Sequence, residues 1–286
     1  MPEILPSTPV TPRQRGLNWR FIVFGTLVGL LPPALVGLGF IVYLRTLAPV
    51  APAGPTPLPV TPVAPVGALP TAHVGLALWA RYDFGEQMGG TGFFLRLPDD
   101  TVVAVAAAHS LIPAWLRSVT LREQASLNFP APREFALAEF YGPPGRPTNL
   151  RVMAGDYTLL VAPPAIAQTA PELILTPDPR GYPEVGERVR LVCATVALQP
   201  DGRCQMDATV THVDLDGIWI ALDANFDAVG SSGGPVLSLH TGHVIGTVSA
   251  GMLRGGDPQR LALNPIAAIL QAALETRQPL PMPYRP

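Results

Sequence analysis

The chain has 286 residues, which is enough for one large domain or two smaller domains with buried cores. Its formal net charge of −2 excludes a broadly basic surface that would attract nucleic acid or acidic lipid by charge alone. All 19 basic residues are arginine, which excludes chemistry that needs a lysine amine, such as Schiff-base formation, a Ser–Lys dyad or a P-loop.

The first predicted element is a membrane-spanning helix over residues 21–44. These 24 residues carry no charge, and at 1.5 Å per residue the helix would reach ~36 Å, against about 30 Å for a bilayer core. Trp19 and Tyr43 lie near its ends, where interfacial aromatic residues occur. Three arginines precede the segment and one closely follows it, so residues 1–20 are predicted to stay cytoplasmic and the rest to lie outside. A cleaved signal peptide is the alternative, although its apolar region would be about twice the usual length.

A proline-rich linker is predicted over residues 45–72. Eight of the 22 residues from 49 to 70 are proline and none of the 22 is charged. Such segments favour polyproline II, a semi-rigid spacer of about 3.1 Å per residue. The linker would therefore hold the following domain away from the membrane.

Residues 73–276 are predicted to form an all-β domain, followed by a tail over 277–286 that leaves no room for a PDZ module. Short apolar runs alternate there with Gly, Pro and Asp turns, which is typical of a sandwich or barrel. One helix is predicted near its end, with Asn264 as N-cap, Pro265 in the first turn and an apolar face of Ile266, Ile269, Leu270 and Ala273. The predicted strands are 74–79, 91–97, 101–107, 134–140, 157–161, 187–194, 208–213, 218–222, 235–239 and 244–249.

The strongest signal for chemistry is the run Gly230-Ser231-Ser232-Gly233-Gly234-Pro235. Glycines around a serine let the backbone approach a substrate, so that the hydroxyl faces a carbonyl carbon and N–H groups face its oxygen. The same composition is also common in turns. A nucleophilic serine needs a base, and because lysine is absent, histidine is the natural candidate.

His109 and Asp156 are the candidate partners of this serine. His109 follows an apolar predicted strand in a tight Ala-Ala-His-Ser-Leu segment, and Asp156 directly precedes another strand. A histidine base is oriented by a carboxylate on its far nitrogen, which is the role that Asp156 could take. Taken singly, each residue also fits an ordinary core histidine or turn aspartate.

Together, these segments resemble the triad motifs of the trypsin/chymotrypsin-like serine proteases, in the family's order His, Asp, Ser. The motifs are Ala107-Ala108-His109, Asp156-Tyr157-Thr158-Leu159-Leu160 and the serine run, and the three key residues are 47 and 76 positions apart. Gly246-Thr247-Val248-Ser249-Ala250-Gly251 resembles the strand that lines the specificity pocket. The resemblance covers about residues 74–273, and Thr91-Gly92-Phe93-Phe94 is similar to bacterial proteases of the high-temperature-requirement type.

The resemblance implies an all-β fold of two six-stranded barrels with the site between them. Ser232 would be the nucleophile, His109 its general base and Asp156 the orienting carboxylate. The backbone N–H groups of Gly230 and Ser232 would form the oxyanion hole. No metal and no cofactor is expected.

The resemblance also implies a substrate-binding strand and a specificity pocket. Ser249, Ala250 and Gly251 would pair with an extended peptide. Phe226 falls at the floor of the pocket and Asp227 lies beside it. A phenylalanine floor favours a shallow apolar pocket, whereas an inward aspartate would select basic side chains.

The predicted function is therefore that of a membrane-anchored serine endopeptidase that acts on proteins or peptides outside the cytoplasm. The alternative is a catalytically silent module of the same fold that binds peptides or serves as a scaffold; such modules usually lack a triad residue. Ser231 stands where zymogen activation uses an aspartate, and no Ile-Val-Gly-Gly-like start occurs, so no activation by a new N-terminus is expected.

Cys193 and Cys204 are the only cysteines and flank the turn at 200–202. Outside the cytoplasm they could form a disulfide. Their offset from that turn does not place them opposite each other, so the sequence leaves both states open.

Overall fold

The computed structural model describes residues 67–123, 131–146, 153–194, 202–252, 259–275 and 278–285. The predicted membrane segment at 21–44 and most of the predicted linker lie outside these ranges. Among the described residues, no helix has both the length and the apolar character that a membrane crossing requires.

The described residues are mostly β-structure, as predicted. Two α-helices occur in them, α1 (Ile166–Thr169) and α2 (Ile266–Glu275), with short 3-10 helices at Ala108–Ser110 and Pro171–Leu173. The strands are β1 (Leu76–Tyr82), β2 (Gly85–Arg96), β3 (Val102–Ala106), β4 (Leu116–Arg122), β5 (Glu134–Leu137), β6 (Glu139–Tyr141), β7 (Thr158–Val161), β8 (Ile174–Leu175), β9 (Arg188–Ala194), β10 (Arg203–Val213), β11 (Ile218–Leu222), β12 (Pro235–Ser238), β13 (Val244–Met252), β14 (Arg260–Pro265) and β15 (Pro279–Pro281).

The first sheet contains nine of these strands, in the order β15-β6-β7-β3-β2-β1-β4-β5 with β8 alongside β2. The prediction of a closed six-stranded barrel is wrong here, because in the described residues no ladder joins β5 to β6. These two strands lie near opposite ends of the sheet, yet only Ala138 separates them in the chain. Because β5 and β6 are consecutive in the chain, the sheet must curl to bring these two strands close together. The curled sheet forms a half-barrel.

The second sheet is a closed barrel of six strands, in the order β10-β11-β14-β13-β12-β9. This confirms the predicted second barrel. Side chains that alternate along its strands fill its interior, as period-two patterning requires. Leu191, Ile220 and Leu263 are examples, and all three are fully buried.

A third apolar cluster joins the half-barrel, the closed barrel and α2. Phe94 on β2 points into the half-barrel core, while its neighbours Phe93 and Leu95 point the other way. They meet Leu237 of β12 and Ile266 of α2 in one buried cluster. Phe93, Phe94 and Leu95 thus pack alternately on two different cores, which explains why this part of β2 lacks an exposed polar face.

The C-terminal helix is confirmed, although it begins later than predicted. Ile266, Ile269 and Ala273 form its buried face. Asn264 does not cap the helix, because it continues β14 and pairs with Thr247 of β13. The ladder between β13 and β14 holds this part of the chain extended up to Pro265.

Both ends of the folded unit extend beyond the predicted domain. Gly67, within the predicted linker, donates its backbone N–H to the carbonyl of His240 at 2.7 Å, and Leu69 packs on the shared cluster. In the predicted tail, β15 pairs with β6, and Tyr284 packs against the half-barrel core. Proline-rich composition concealed these contacts, because an edge strand can tolerate prolines that lack a donor N–H.

Cys193 and Cys204 lie directly opposite each other on β9 and β10 and form a disulfide. The register of β9 and β10 therefore differs from one centred on the turn signal at 200–202. The ladder of β9 and β10 sets the register of the two cysteines.

Candidate active site

His109 and Asp156 meet at the same edge of the half-barrel. Strands β3 and β7 are antiparallel, with Ala106 opposite Thr158, so the end of β3 lies beside the start of β7. The 3-10 helix after β3 carries His109, whose Nδ1 lies 2.7 Å from Oδ2 of Asp156. The backbone N–H of His109 also donates to Oδ1 at 2.9 Å. The carboxylate therefore orients both the ring and the backbone of His109.

Asp156 is buried, with only 2% of its surface exposed. Burial by itself raises the pKa of Asp156, but hydrogen bonds and charge from His109, with a hydrogen bond from the Ser249 hydroxyl, hold it below its usual range. The carboxylate thus stays charged at neutral pH and favours a proton on Nδ1 of His109.

Ser232 reaches the other side of the same imidazole from the closed barrel. Its Oγ lies 3.0 Å from Nε2 of His109. The His109 side chain is 36% exposed, so the ring stands at the surface between a buried carboxylate and this hydroxyl. Asp156, His109 and Ser232 consequently form one continuous chain of hydrogen bonds across the junction of the two sheets.

The residue after Ser232 must be glycine for both conformational and steric reasons. Gly233 has φ +83, in the left-handed region that other residues rarely adopt. A Cβ atom at this position would lie 2.3 Å from the carbonyl oxygen of Thr91 on β2. The loop of residues 230–234 (the serine loop) is therefore pressed directly against the half-barrel.

Two backbone donors remain open beside Ser232. The N–H groups of Ser231, Gly233 and Gly234 each donate to a backbone carbonyl, at 2.7 to 3.0 Å. Within the described ranges, no acceptor receives the N–H groups of Gly230 and Ser232. These two groups are thus available to a ligand.

The predicted substrate strand has one side without a neighbouring strand. On β13, Gly251 pairs with Leu261 of β14, whereas β12 pairs with β13 only between Val244 and Thr247. In the described part of the chain, no strand lies alongside Ser249 to Gly251 on the β12 side. An extended peptide could add to this edge by main-chain hydrogen bonds.

The side chain of Ser249 binds Asp156, a contact that the sequence did not reveal. It is buried, and its hydroxyl donates to Oδ2 of Asp156. The two residues are 93 positions apart. No local pattern marks such a pair, so only Ser249's place on the substrate strand was predictable.

The two predicted pocket residues lie in different environments. Phe226 is 8% exposed and packs in the core of the closed barrel, and its N–H donates to Oε1 of Gln259 at 2.9 Å. Asp227 is exposed, and its Oδ1 accepts the N–H of Val229 at 3.1 Å. Within the described ranges, no group of three or more His, Cys, Asp or Glu side chains could hold a metal ion.

Comparison with known proteins gives structural matches only. No protein-family model matches the chain, and no curated protein matches its sequence. The thermostable serine protease AL20 from an extremophilic microorganism is 14% identical, with a TM-score of 0.51 over 70% of this chain and 95% of its own. The protease Anisep from Arthrobacter nicotinovorans is 17% identical, with a TM-score of 0.51 over 73% and 98%. Neuropsin, a serine protease of mouse brain, is 15% identical, with a TM-score of 0.50 over 73% and 96%.

These likenesses establish the fold. The chain has the trypsin-like fold, with a closed six-stranded barrel, a half-barrel sheet and a C-terminal helix. At this level of sequence identity, structural similarity does not establish that this chain has the activity of the matched proteins.

Acid should remove a stabilising contribution of Asp156. Its folded-state pKa lies below that of an unfolded aspartate, about 3.9, so its stabilisation is complete above that value and is lost as the pH falls through the folded pKa. The difference in free energy of unfolding between wild type and Asp156→Asn, measured by urea denaturation, should shrink below about pH 4. In Ser249→Ala, which removes one donor to the carboxylate, the folded-state pKa of Asp156 should be less depressed, so the contribution should be smaller and its loss should be complete at a higher pH. A difference that stays constant down to about pH 2 would contradict this account.

Proposed function

We propose that this protein is a serine endopeptidase. The observation that carries the proposal is the hydrogen-bonded chain from Asp156 through His109 to Ser232, with spacings of 2.7 and 3.0 Å. Two open N–H groups beside the hydroxyl support it further. The trypsin-like fold alone would not be sufficient, because folds host many functions.

The geometry supports acyl transfer by the following steps. Ser232 Oγ attacks the carbonyl carbon of a peptide bond while Nε2 of His109 accepts its proton. The same nitrogen then returns the proton to the leaving amine, and water later hydrolyses the acyl-enzyme by the reverse route. Asp156 holds the imidazole in the required tautomer and stabilises its charged form.

The N–H groups of Gly230 and Ser232 are proposed to bind the oxyanion of the tetrahedral intermediate. Both lack an acceptor in the described part of the chain and lie in the serine loop. Loss of one such donor typically costs roughly 3 kcal/mol of transition-state stabilisation. Ser249, Ala250 and Gly251 are proposed to hold the substrate backbone along the open edge of β13.

A catalytically silent module that binds peptides in the same cleft is the second candidate. Its supporting observation is the open edge of β13, which could bind a peptide without cleaving it. The two candidates differ in one respect, namely whether Ser232 reacts.

Labelling by a fluorophosphonate probe should distinguish them. The wild-type protein should be labelled, and Ser232→Ala should not, because the activated hydroxyl gives its proton to His109 and displaces fluoride from phosphorus. Ser231→Ala is a matched control that should remain labelled, since that hydroxyl is buried and donates to the carbonyl of Ala228 at 2.7 Å. A wild-type protein that stays unlabelled would support the silent module instead.

The specificity pocket is proposed to be shallow and apolar. Phe226, which is expected to form the floor, is packed into the barrel core, whereas the exposed Asp227 carboxylate accepts the backbone N–H of Val229. The pocket would have little room for a long substrate side chain, and the negative charge of Asp227 would not face that side chain.

Cleavage of a peptide library should therefore favour small apolar residues, such as Ala or Val, before the cut bond. Asp227→Asn should leave this profile unchanged, because the exposed carboxylate, which accepts the N–H of Val229, is proposed to lie outside the pocket. A profile dominated by Arg in the wild type, and abolished in Asp227→Asn, would overturn the proposed pocket.

The proposed cellular setting is a single-pass anchor at 21–44 with the β-domain outside the cytoplasm. The 24 uncharged residues and the excess of arginines before them support this setting. The disulfide between Cys193 and Cys204 is consistent with it, because disulfides persist in oxidising compartments. The run Thr91 to Phe94 supports a relation to high-temperature-requirement proteases.

Membrane fractionation tests the anchor. The full chain should stay with membranes during alkaline carbonate extraction, and a variant lacking residues 21–44 should be released. On sealed vesicles with the outer face exposed, an added protease should digest the β-domain and spare residues 1–20. Release of the full chain by carbonate would refute the anchor, and protection of the β-domain would refute the orientation.

A further inference from the structure

Thr91 lies in β2 of the half-barrel, where it pairs with Ala77 of β1, and its hydroxyl and backbone N–H bond to the closed barrel and the serine loop. Its residue surface is 1% exposed. Its backbone N–H donates to the carbonyl of Ser232 at 2.8 Å. Its hydroxyl lies 2.7 Å from the carbonyl oxygen of Gly230. Thr91 therefore contacts the two residues of the serine loop whose N–H groups are open.

The direction of the Thr91 hydroxyl proton follows from counting donors and acceptors. The N–H of Ala194 donates to Oγ1 of Thr91 at 2.9 Å, so this oxygen already acts as an acceptor. Its single proton has two carbonyl oxygens within reach, that of Gly230 at 2.7 Å and that of Ala194 at 3.2 Å. The shorter contact is the stronger bond, and the proton is therefore assigned to Gly230.

This bond adds a restraint to the serine loop at a glycine. Gly230 has φ +92, and glycine exchanges readily between positive and negative φ. The peptide between Gly230 and Ser231 is held at its carbonyl by Thr91 and at its N–H by the carbonyl of Ala228. With this peptide plane fixed at both ends, the N–H of Gly230 has fewer orientations available.

We propose that Thr91 is a positioning residue that keeps the N–H groups of Gly230 and Ser232 aimed at the oxyanion. The proposal rests on the proposed peptidase function. Two hydrogen bonds of Thr91 support it, one from its hydroxyl to the carbonyl of Gly230 and one from its backbone N–H to the carbonyl of Ser232. Together these bonds hold the carbonyls of both residues whose N–H groups are open. Without the hydroxyl, Gly230 can turn its N–H away, and the transition state loses a preorganised donor.

A purely structural role is the competing explanation, since the bonds to Ala194 also tie β2 to β9 of the closed barrel. The two explanations differ in what is lost on substitution. A positioning role lowers the rate of reaction at Ser232 and leaves the Asp156–His109 pair intact. A structural role disturbs the whole junction, and with it the alignment of His109.

The test is the rate of fluorophosphonate labelling in four variants of the full chain. Thr91→Val keeps the shape of the side chain and removes its hydroxyl. Thr91→Ser and Thr91→Ala differ from each other by one oxygen atom. This second pair remains informative if the valine variant does not fold. The matched control is Thr241→Val, in the turn between β12 and β13, which removes a hydroxyl bond of 2.7 Å to Asp178. The second readout is the low-field proton NMR resonance of Nδ1–H of His109, which reports its bond to Asp156.

We expect Thr91→Val and Thr91→Ala to label more slowly by roughly 10-fold to 100-fold, below the roughly 100-fold to 1000-fold of a donor removed outright. Thr91→Ser and Thr241→Val should label at close to the wild-type rate, and all four should keep the His109 resonance. Equal rates in Thr91→Ser and Thr91→Ala would overturn the proposal, and so would loss of the resonance together with the rate. A wild-type protein that is not labelled at all would instead refute the proposed function, and the role of Thr91 with it.

Discussion

The buried apolar layer between the half-barrel and the closed barrel is the feature on which the site depends. Phe93 and Leu95 of β2 pack there with Leu237 of the closed barrel and Ile266 of α2, all fully buried or nearly so. His109 and Ser232 belong to different sheets, so their 3.0 Å contact exists only while this layer holds the sheets together. Apolar burial stabilises the junction but is non-directional. It therefore cannot by itself set the distance between Nε2 of His109 and Oγ of Ser232.

The alignment of the two sheets is set by a few hydrogen bonds at the edge of this layer. Thr91 bonds Ala194, Gly230 and Ser232, and the close approach at Gly233 leaves no space for a side chain. Each bond contributes only about 1 kcal/mol net, but a buried polar group left without its partner costs more. A small displacement of one sheet would break several of these bonds together, which favours a single alignment of the imidazole and the hydroxyl.

Asp156 shows how the fold maintains a charge in its interior. Burial opposes ionisation, and donors from three directions counter it: the ring and the backbone N–H of His109, and the hydroxyl of Ser249. The two donors of His109 come from the half-barrel, whereas Ser249 belongs to the closed barrel. The carboxylate is therefore satisfied only when both sheets are in place, so that the charge state of the site is coupled to the junction.

The sequence by itself determined the features that depend on neighbouring residues. Short apolar runs between turns marked ten strand segments, of which 134–140 forms two strands, while β4, β8, β14 and β15 were not marked. An amphipathic pattern marked α2, and the motifs around His109, Asp156 and Ser232 singled out the residues that the fold brings together. The tertiary structure alone decided the bond from Ser249 to Asp156, the contacts of Thr91 with Ala194 and Gly230, the register that joins Cys193 to Cys204, and the open first sheet. The reason is physical: strand periodicity and turn chemistry act over a few residues, whereas these pairings join more distant positions, by 93 for Ser249 and 139 for Thr91 with Gly230. Such pairs form only once burial has packed the two sheets and left each buried donor a particular acceptor.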